Sequence, residues 1–326
     1  MRLTLGFVLF FVGALTLAIP NMTRRGMLFA VPLPDNFRES GIGRRSIAIF
    51  RALVGAVLIA ELAALFLSPE PLLPPLVTLG PLLIVGAGVA GFYWQRRKLV
   101  PFAVQSLRPR EAELSEIPDK LPWFMWLSAG PFVILATAAA FLYSNWESIP
   151  LRFPRHWGLN GQPDAWSART VQGVFGPLVF GAENCAYLLI MAVALWFGAR
   201  RSRFRRVVLA GLVGIDYLLA LLFACIPTGP LLHIPIWAAV LVTLLFVTVL
   251  TIIMARAASS EPRTPVEATP EECWKGALIY YNPNDAALFV EKRFGLGYTL
   301  NFGNYWSWVL AFGLLLVVAS APLVLG

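Results

Sequence analysis

Apolar positions along this chain neither alternate nor recur at amphipathic spacing. They form long unbroken runs, at about 3–19, 47–67, 73–94, 122–143, 174–198, 207–226, 233–254 and 305–325. A helix rises ~1.5 Å per residue, so about 20 apolar residues match a hydrocarbon slab ~30 Å thick. A long helix on a water-soluble protein would carry charges along one face, and these runs carry very few. The pattern predicts an all-α polytopic membrane protein with about eight transmembrane helices. The first run follows Arg2, and Ala18-Ile19-Pro20-Asn21 is a poor cleavage site, so it is read as a retained helix. The connectors at 68–72 and 227–232 are short, lack Lys and Arg, and are read as tight helical hairpins.

The polar connectors differ in kind. The longest on one side, 144–173, contains I-P-L-R-F-P-R-H-W-G-L-N-G-Q-P-D-A-W from Ile149 to Trp166. Pro150, Pro154 and Pro163 each fix φ and remove a backbone donor, so no helix runs through it. Gly158 and Gly161 bracket Asn160, which suits a tight turn with positive φ. His156 stands between Arg155 and Trp157, and the segment carries enough turn chemistry and aromatic weight to fold as a compact cap. Near the other end of the chain, Ala257–Glu272 is Ser-, Glu- and Pro-rich and reads as a linker. Beyond it, 273–304 predicts a small β-like module: Ile279-Tyr280-Tyr281 is strand-like, Asn282-Pro283-Asn284-Asp285 is a turn, and Tyr298–Phe302 is extended. Gly26–Asp35 repeats the order of residue types in Gly276–Asp285, which suggests two segments packed together that hold the first and last helices close.

Charge sets the orientation. The connectors at 20–46, 95–121, 199–206 and 255–304 hold five, six, five and five Lys or Arg, 21 in all. The opposite side has Arg2, Arg152, Arg155 and Arg169. Basic residues gather in cytoplasmic loops, so both termini and the 144–173 connector are expected on the outer side of the membrane. The net charge of +8 is therefore a topology signal and not a nucleic-acid footprint. Arg200–Arg206 reads as a cytoplasmic stop in contact with anionic lipid. Trp94, Trp123, Trp146, Trp237, Trp306 and Trp308 read as interfacial anchors. Gly86, Gly88 and Gly91 read as a small-residue stripe for close helix packing.

Three carboxylates fall inside the runs: Glu61, Glu183 and Asp216. An ionised carboxylate at mid-bilayer costs about 2.5–3.5 kcal/mol on insertion scales. Such groups are protonated, paired or turned to a wet cavity. Glu183 is followed by Asn184, a polar step below the 144–173 connector. Catalytic chemistry finds little support: there is no H-E-x-x-H, no Cys/His cluster and no G-x-S-x-G setting, and Cys185, Cys225 and Cys273 show no pairing or metal spacing. No catalytic residue, metal or cofactor is expected. His156 is read instead as an anchor of the connector's fold between Trp157 and Trp166, or as a pH-sensitive latch.

Pro150, Pro154, His156, Trp157, Gly161, Pro163, Asp164, Trp166 and Ser167, flanked by a helix to Tyr143 and another from about Val174, resemble the membrane domain of bacterial SdpI-type immunity proteins. The resemblance spans 50 to 60 residues, placed here within 122–200. Trp274–Asn304 resembles a short module of unknown role in the same broad group. The remaining segments are 1–121 with three helices, 201–256 with two, the linker 257–272, and the last helix in 305–326. The resemblance implies protection against a membrane-active peptide toxin captured at the outer face. In the best-known member of the family, capture also draws a repressor to the membrane. This chain departs from that member in its additional N-terminal spans and its C-terminal module. The expected ligand site is His156, Trp157, Asn160, Asp164 and Trp166, with Glu183 below. A cytoplasmic protein partner is expected at 273–304. The rival reading is a small proton-coupled transporter or permease whose path is lined by Glu61, Glu183 and Asp216, with Asn184 a further intramembrane polar candidate.

Overall fold

The structure is a computed structural model that describes residues 2–21, 26–34, 36–104, 120–158, 161–199, 203–260, 271–276, 278–293 and 297–325. It is an all-α polytopic membrane protein with short antiparallel hairpins. The helices are α1 (Arg2–Ala18), α2 (Gly41–Leu67), α3 (Leu73–Leu99), α4 (Gly130–Ser144), α5 (Val171–Gly198), α6 (Arg203–Leu232), α7 (Ile236–Ser260) and α8 (Tyr305–Leu325). A 3-10 segment, Trp123–Ala129, leads into α4. Among the described residues, six helices are long and apolar enough to cross a bilayer, and Leu5–Asn21 is a shorter apolar helix. Helix α3 carries Pro81 inside and Arg96, Arg97 and Lys98 in its last turn.

Several boundaries differ from the sequence reading for one reason: apolarity ends at the hydrocarbon, but helical hydrogen bonding does not. Helix α2 begins six residues before the expected 47, through Arg44 and Arg45. Helix α6 continues through Pro227 and Pro230 to Leu232. The expected connector at 227–232 is therefore helix, and the turn falls at 233–235, with His233 at φ 54°. Thr228 Oγ1 donates to the Ala224 carbonyl at 2.7 Å near the first of those prolines.

The chain divides into two compact units. The first comprises Met1–Glu111, Ala258–Tyr280 and Glu291–Thr299. Here α1, α2 and α3 pack through glycines: a Cβ on Gly88 would meet Thr16 at 2.6 Å, and one on Gly91 would meet Leu53 at 3.1 Å, whereas Gly86 faces open space. Strands β1 (Met27–Leu28) and β2 (Val31–Pro32) form a hairpin whose central residues, Phe29 and Ala30, sit at φ 49° and 59°. Such a turn matches strand twist but strains residues with a Cβ. It is held because the buried Phe29 ring packs against Phe50 and Phe92 at 5.4 and 5.9 Å. In addition, buried Arg96 donates to the Ala30 carbonyl at 2.7 Å. Strands β5 (Trp274–Lys275) and β6 (Ile279–Tyr280) make a second hairpin, and Tyr93 Oη donates to the Gly276 carbonyl at 2.8 Å. The two echoing segments are thus both near hairpins, but they lie in separate sheets and do not pair. Each is held by a different side chain of α3, because strands of two residues leave each hairpin dependent on its helix.

The second unit comprises Ala112–Ala257, Tyr281–Val290 and Leu300–Gly326. Helix α5 packs against α8, and against α4 and α6 around Leu135, Leu142, Ile149, Phe153, Val174, Leu178, Cys185, Ala220 and Ala224. Gly176 lets α5 approach α8 so closely that a Cβ would lie 2.2 Å from the Val324 carbonyl. Of the basic connector, Arg200 and Arg201 lie outside the described residues. Arg205 is not a lipid contact. It is 2% exposed, lies over the Trp196 ring at 4.1 Å, and donates to the Trp196 and Ala199 carbonyls at 3.0 and 2.9 Å. Trp146, expected as an interfacial anchor, stacks on Phe175 with centroids 6.1 Å apart.

The stretch 273–304, expected as one module, is shared between the two units. Beyond β5 and β6 it forms β7 (Phe289–Glu291) and β8 (Tyr298–Leu300). Its second-unit part is built on Asn301, which is fully buried. The Asn301 amide donates to the Asn282, Asp285 and Ala287 carbonyls at 2.9, 2.9 and 3.1 Å. Its Oδ1 accepts from the Asn282 and Gly303 amides, both at 3.0 Å. Its own carbonyl accepts from Ser307 Oγ at 2.6 Å, tying the module to the first turn of α8. Asn301→Ala is expected to cost about 2–4 kcal/mol, because it strands several buried backbone groups at once. Limited proteolysis checks this: new cleavage within 278–304 is the expected result, and an unchanged pattern contradicts the hub.

Candidate functional site

The connector between α4 and α5 is a β-hairpin. Strand β3 (Arg152–Trp157) pairs antiparallel with β4 (Pro163–Ala168), matching Arg152 with Ala168, Phe153 with Ser167 and Pro154 with Trp166. The register then shifts, pairing His156 with Ala165 and Trp157 with Pro163. Proline is compatible with a two-stranded ribbon, where each strand has a free edge. The shift leaves Arg155 and Asp164 as extra residues, and such bulges re-aim side chains. Gly161 closes the turn at φ 76°, and Gly158 N–H donates to the Gln162 carbonyl at 2.8 Å.

One face of the hairpin is locked down. Phe153 is 1% exposed in the apolar cluster of α4, α5 and α6, and Ser167 beside it is buried and donates to the Gly173 carbonyl at 3.2 Å. Thr170 caps α5 by accepting from the Gly173 amide at 3.0 Å. Arg169 gathers the base of the connector, with Nη1 at 3.3, 3.0 and 3.3 Å from the carbonyls of Trp146, Glu147 and Ile149. Two further side chains reach the end of α8: Arg155 donates to the Leu325 carbonyl at 2.8 Å and Gln172 to that of Leu323 at 2.9 Å.

The other face is open. His156 Nδ1 meets Asp164 Oδ1 at 2.5 Å, with side chains 69% and 52% exposed. The Arg152 guanidinium lies 5.5 Å from the centroid of the exposed Trp166 ring. Ion pairs this exposed add little to folding, so these four side chains are accessible to a ligand at small cost to the hairpin.

The structure brings His156, Asp164 and Trp166 onto this face, and Trp157 is half-buried at the end of β3. It does not place His156 between the two tryptophans as an anchor; the alternation of strand side chains turns it outward, and Phe153 anchors instead. Asn160 lies outside the described residues. Glu183 does not bond to the hairpin: its Oε2 accepts from Ser320 Oγ of α8 at 2.6 Å. The Asn184 amide turns back to the Phe180 carbonyl of its own helix at 2.8 Å. Asp216 is 2% exposed, its Oδ1 has no hydrogen-bond partner, and its backbone carbonyl lies 3.6 Å from Cys185 Sγ. Glu61 belongs to the first unit, where its Oε2 is buried without a partner. Among the described residues, no three His, Cys, Asp or Glu side chains gather as metal ligands would.

Sequence reasoning missed Arg152, Arg155, Arg169, Gln172 and Ser320. A signal existed for the arginines. They break the basic-residue bias of their own side, and a charge placed against that bias needs a local use.

A family model described as "Domain of unknown function (DUF1648)" matches residues 132–181, and one described as "Family of unknown function (DUF5808)" matches 283–308. The first covers nearly all of α4, the whole hairpin and the start of α5 as far as Gly181, and is a domain found in SdpI-like membrane proteins. The second runs from the Asn282 turn through Asn301 to the first turn of α8. No curated protein and no solved structure matches the chain.

A Cβ at Gly173 would lie 2.3 Å from the Ala168 carbonyl, so the strand-to-helix corner has no room for one. Gly173→Ala is expected to destabilise the second unit by about 1–3 kcal/mol. A lowered melting temperature in detergent is the expected reading, and an unchanged one contradicts the packing described.

Proposed function

We propose that the open face of the β3–β4 hairpin recognises a membrane-active peptide, and that the protein acts in immunity or sensing of the SdpI-like kind and not as an enzyme. The observation that carries this reading is the division of labour within one hairpin. Phe153, Ser167 and Arg169 fix one face, while His156, Asp164, Arg152 and Trp166 are left open on the other. The carboxylate suits a cationic residue of such a peptide and the indole suits its apolar face. The Lys/Arg imbalance sets this hairpin outside the cell membrane, where a secreted peptide arrives.

Helix α8 supports a sensing role. One end carries the Leu323 and Leu325 carbonyls held by Gln172 and Arg155, and the other carries Ser307, bonded to Asn301. Ligand binding that moves the hairpin is thereby passed to the module around Asn301, the surface offered to a cytoplasmic partner.

A second reading rests on a separate observation, the buried, unpartnered Asp216 Oδ1 in α6. A carboxylate in that setting suits a proton-coupled transporter. Survival under a panel of secreted peptide toxins separates the two readings, with variants matched for membrane abundance. Wild type and Asp216→Asn are expected to protect, and His156→Ala and Asp164→Asn to lose about tenfold or more, the equivalent of roughly 1.4 kcal/mol in binding. Loss in Asp216→Asn with retention in the hairpin variants would replace recognition by transport.

A further inference from the structure

The first unit holds an arginine pair with no acceptor charge between its members. Arg38, in the 3-10 turn Phe37–Glu39, donates through Nη2 to Asn21 Oδ1 at 2.7 Å. Arg51 of α2 donates through Nη2 to the same oxygen at 3.2 Å. One neutral amide oxygen therefore serves two cations, each with N–H donors to spare. Among the described residues no carboxylate lies within ion-pair distance of either guanidinium. Burial pushes Arg38 below its ordinary value, Arg51 pushes it further, and Glu39 opposes them. A bound anion would relieve that repulsion and take up the free donors.

Depth narrows the choice of anion. At the far end of the same helices, Arg2 donates to the Phe66 and Ser68 carbonyls at 2.7 and 2.8 Å, so α1 and the end of α2 share a level there. Asn21 is 19 residues from Arg2, and Arg51 is 17 residues from Ser68. At ~1.5 Å per residue these are roughly 28 and 26 Å, close to the ~30 Å of hydrocarbon. When Arg2 marks one interface, Asn21, Arg38 and Arg51 lie at the other, at the level of the lipid phosphates. Arg44, exposed on the same face of α2 and about 10 Å further along the axis, continues the basic path away from the hydrocarbon.

We propose that Arg38 and Arg51, oriented by Asn21, form a site for a phosphate group, with an anionic phospholipid headgroup as its source. Paired guanidinium forks match the phosphate oxygens, and a fixed pair of them distinguishes one bound lipid from a diffuse surface attraction. This site is independent of the hairpin reading.

Native mass spectrometry of the full chain released from mild detergent tests the site, with phosphatidylglycerol, phosphatidylcholine and inorganic phosphate added separately. Wild type is expected to retain one phosphatidylglycerol in preference to phosphatidylcholine. Arg38→Gln/Arg51→Gln is expected to lose that retention by about tenfold, the effect of roughly 1.4 kcal/mol. Arg97→Gln, which removes another exposed arginine, is expected to retain it. Should the double variant not fold, Arg51→Gln alone, on an exposed side chain, is expected to weaken retention in the same direction. Equal retention in wild type and variants would overturn the site. Retention of inorganic phosphate with no lipid would keep the anion chemistry but overturn the lipid source.

Discussion

Every helix ends in carbonyls that have no partner within the helix. Where the end lies in or near hydrocarbon, water is a poor substitute, and each unmet group is costly. In this protein guanidinium groups repeatedly meet that need. Arg2 takes carbonyls at the end of α2, Arg205 those at the end of α5, and Arg155 that of Leu325 at the end of α8. Arg169 takes three just beyond α4, and Arg96 those of the strained Phe29-Ala30 turn. Arginine suits the task because its donors are forked and its charge is permanent. A cation beside a helix C-terminus also gains from the helix dipole.

The candidate site follows from this device. A two-stranded ribbon alone is marginal in water. The β3–β4 hairpin gains order from three sources: the Phe153 contact with the apolar cluster, the Arg169 contacts at its base, and the Arg155 contact at the end of α8. Held at these points, it presents His156, Asp164, Arg152 and Trp166 without needing them for its own stability. The residues that matter structurally and those that remain free for a ligand are therefore different residues, interleaved by the two-residue alternation of a strand. Glu183 and Ser320 add a polar contact between α5 and α8 within the apolar part of the same unit.

Much of the helical architecture was legible in the sequence, because hydrocarbon thickness imposes run length without reference to partners. Helix ends were less so, as α2 and α6 show, since hydrogen bonding continues through Arg44, Pro227 and Pro230 after apolarity stops. The special character of 144–173 and the positive φ at Gly161 were also readable from proline and glycine placement. Its strands were not, because Pro154 and Pro163 argue against a sheet unless the sheet has only two strands. The roles of Arg155, Arg169 and Arg205 were hidden for a different reason. A guanidinium bound to backbone carbonyls leaves no partner residue type in the sequence to pair it with. Asn301 shares that property, since all its partners are backbone groups except the Ser307 hydroxyl.

The β3–β4 hairpin is a preformed, anchored surface before any ligand arrives. Amide hydrogen exchange of the protein in lipid nanodiscs tests it most directly. The strand amides of 152–157 and 163–168 are expected to exchange slowly in wild type and rapidly in Arg169→Gln, while α5 beyond Val174 is unchanged. Rapid exchange of both strands in wild type, as in an unstructured connector, would contradict the account.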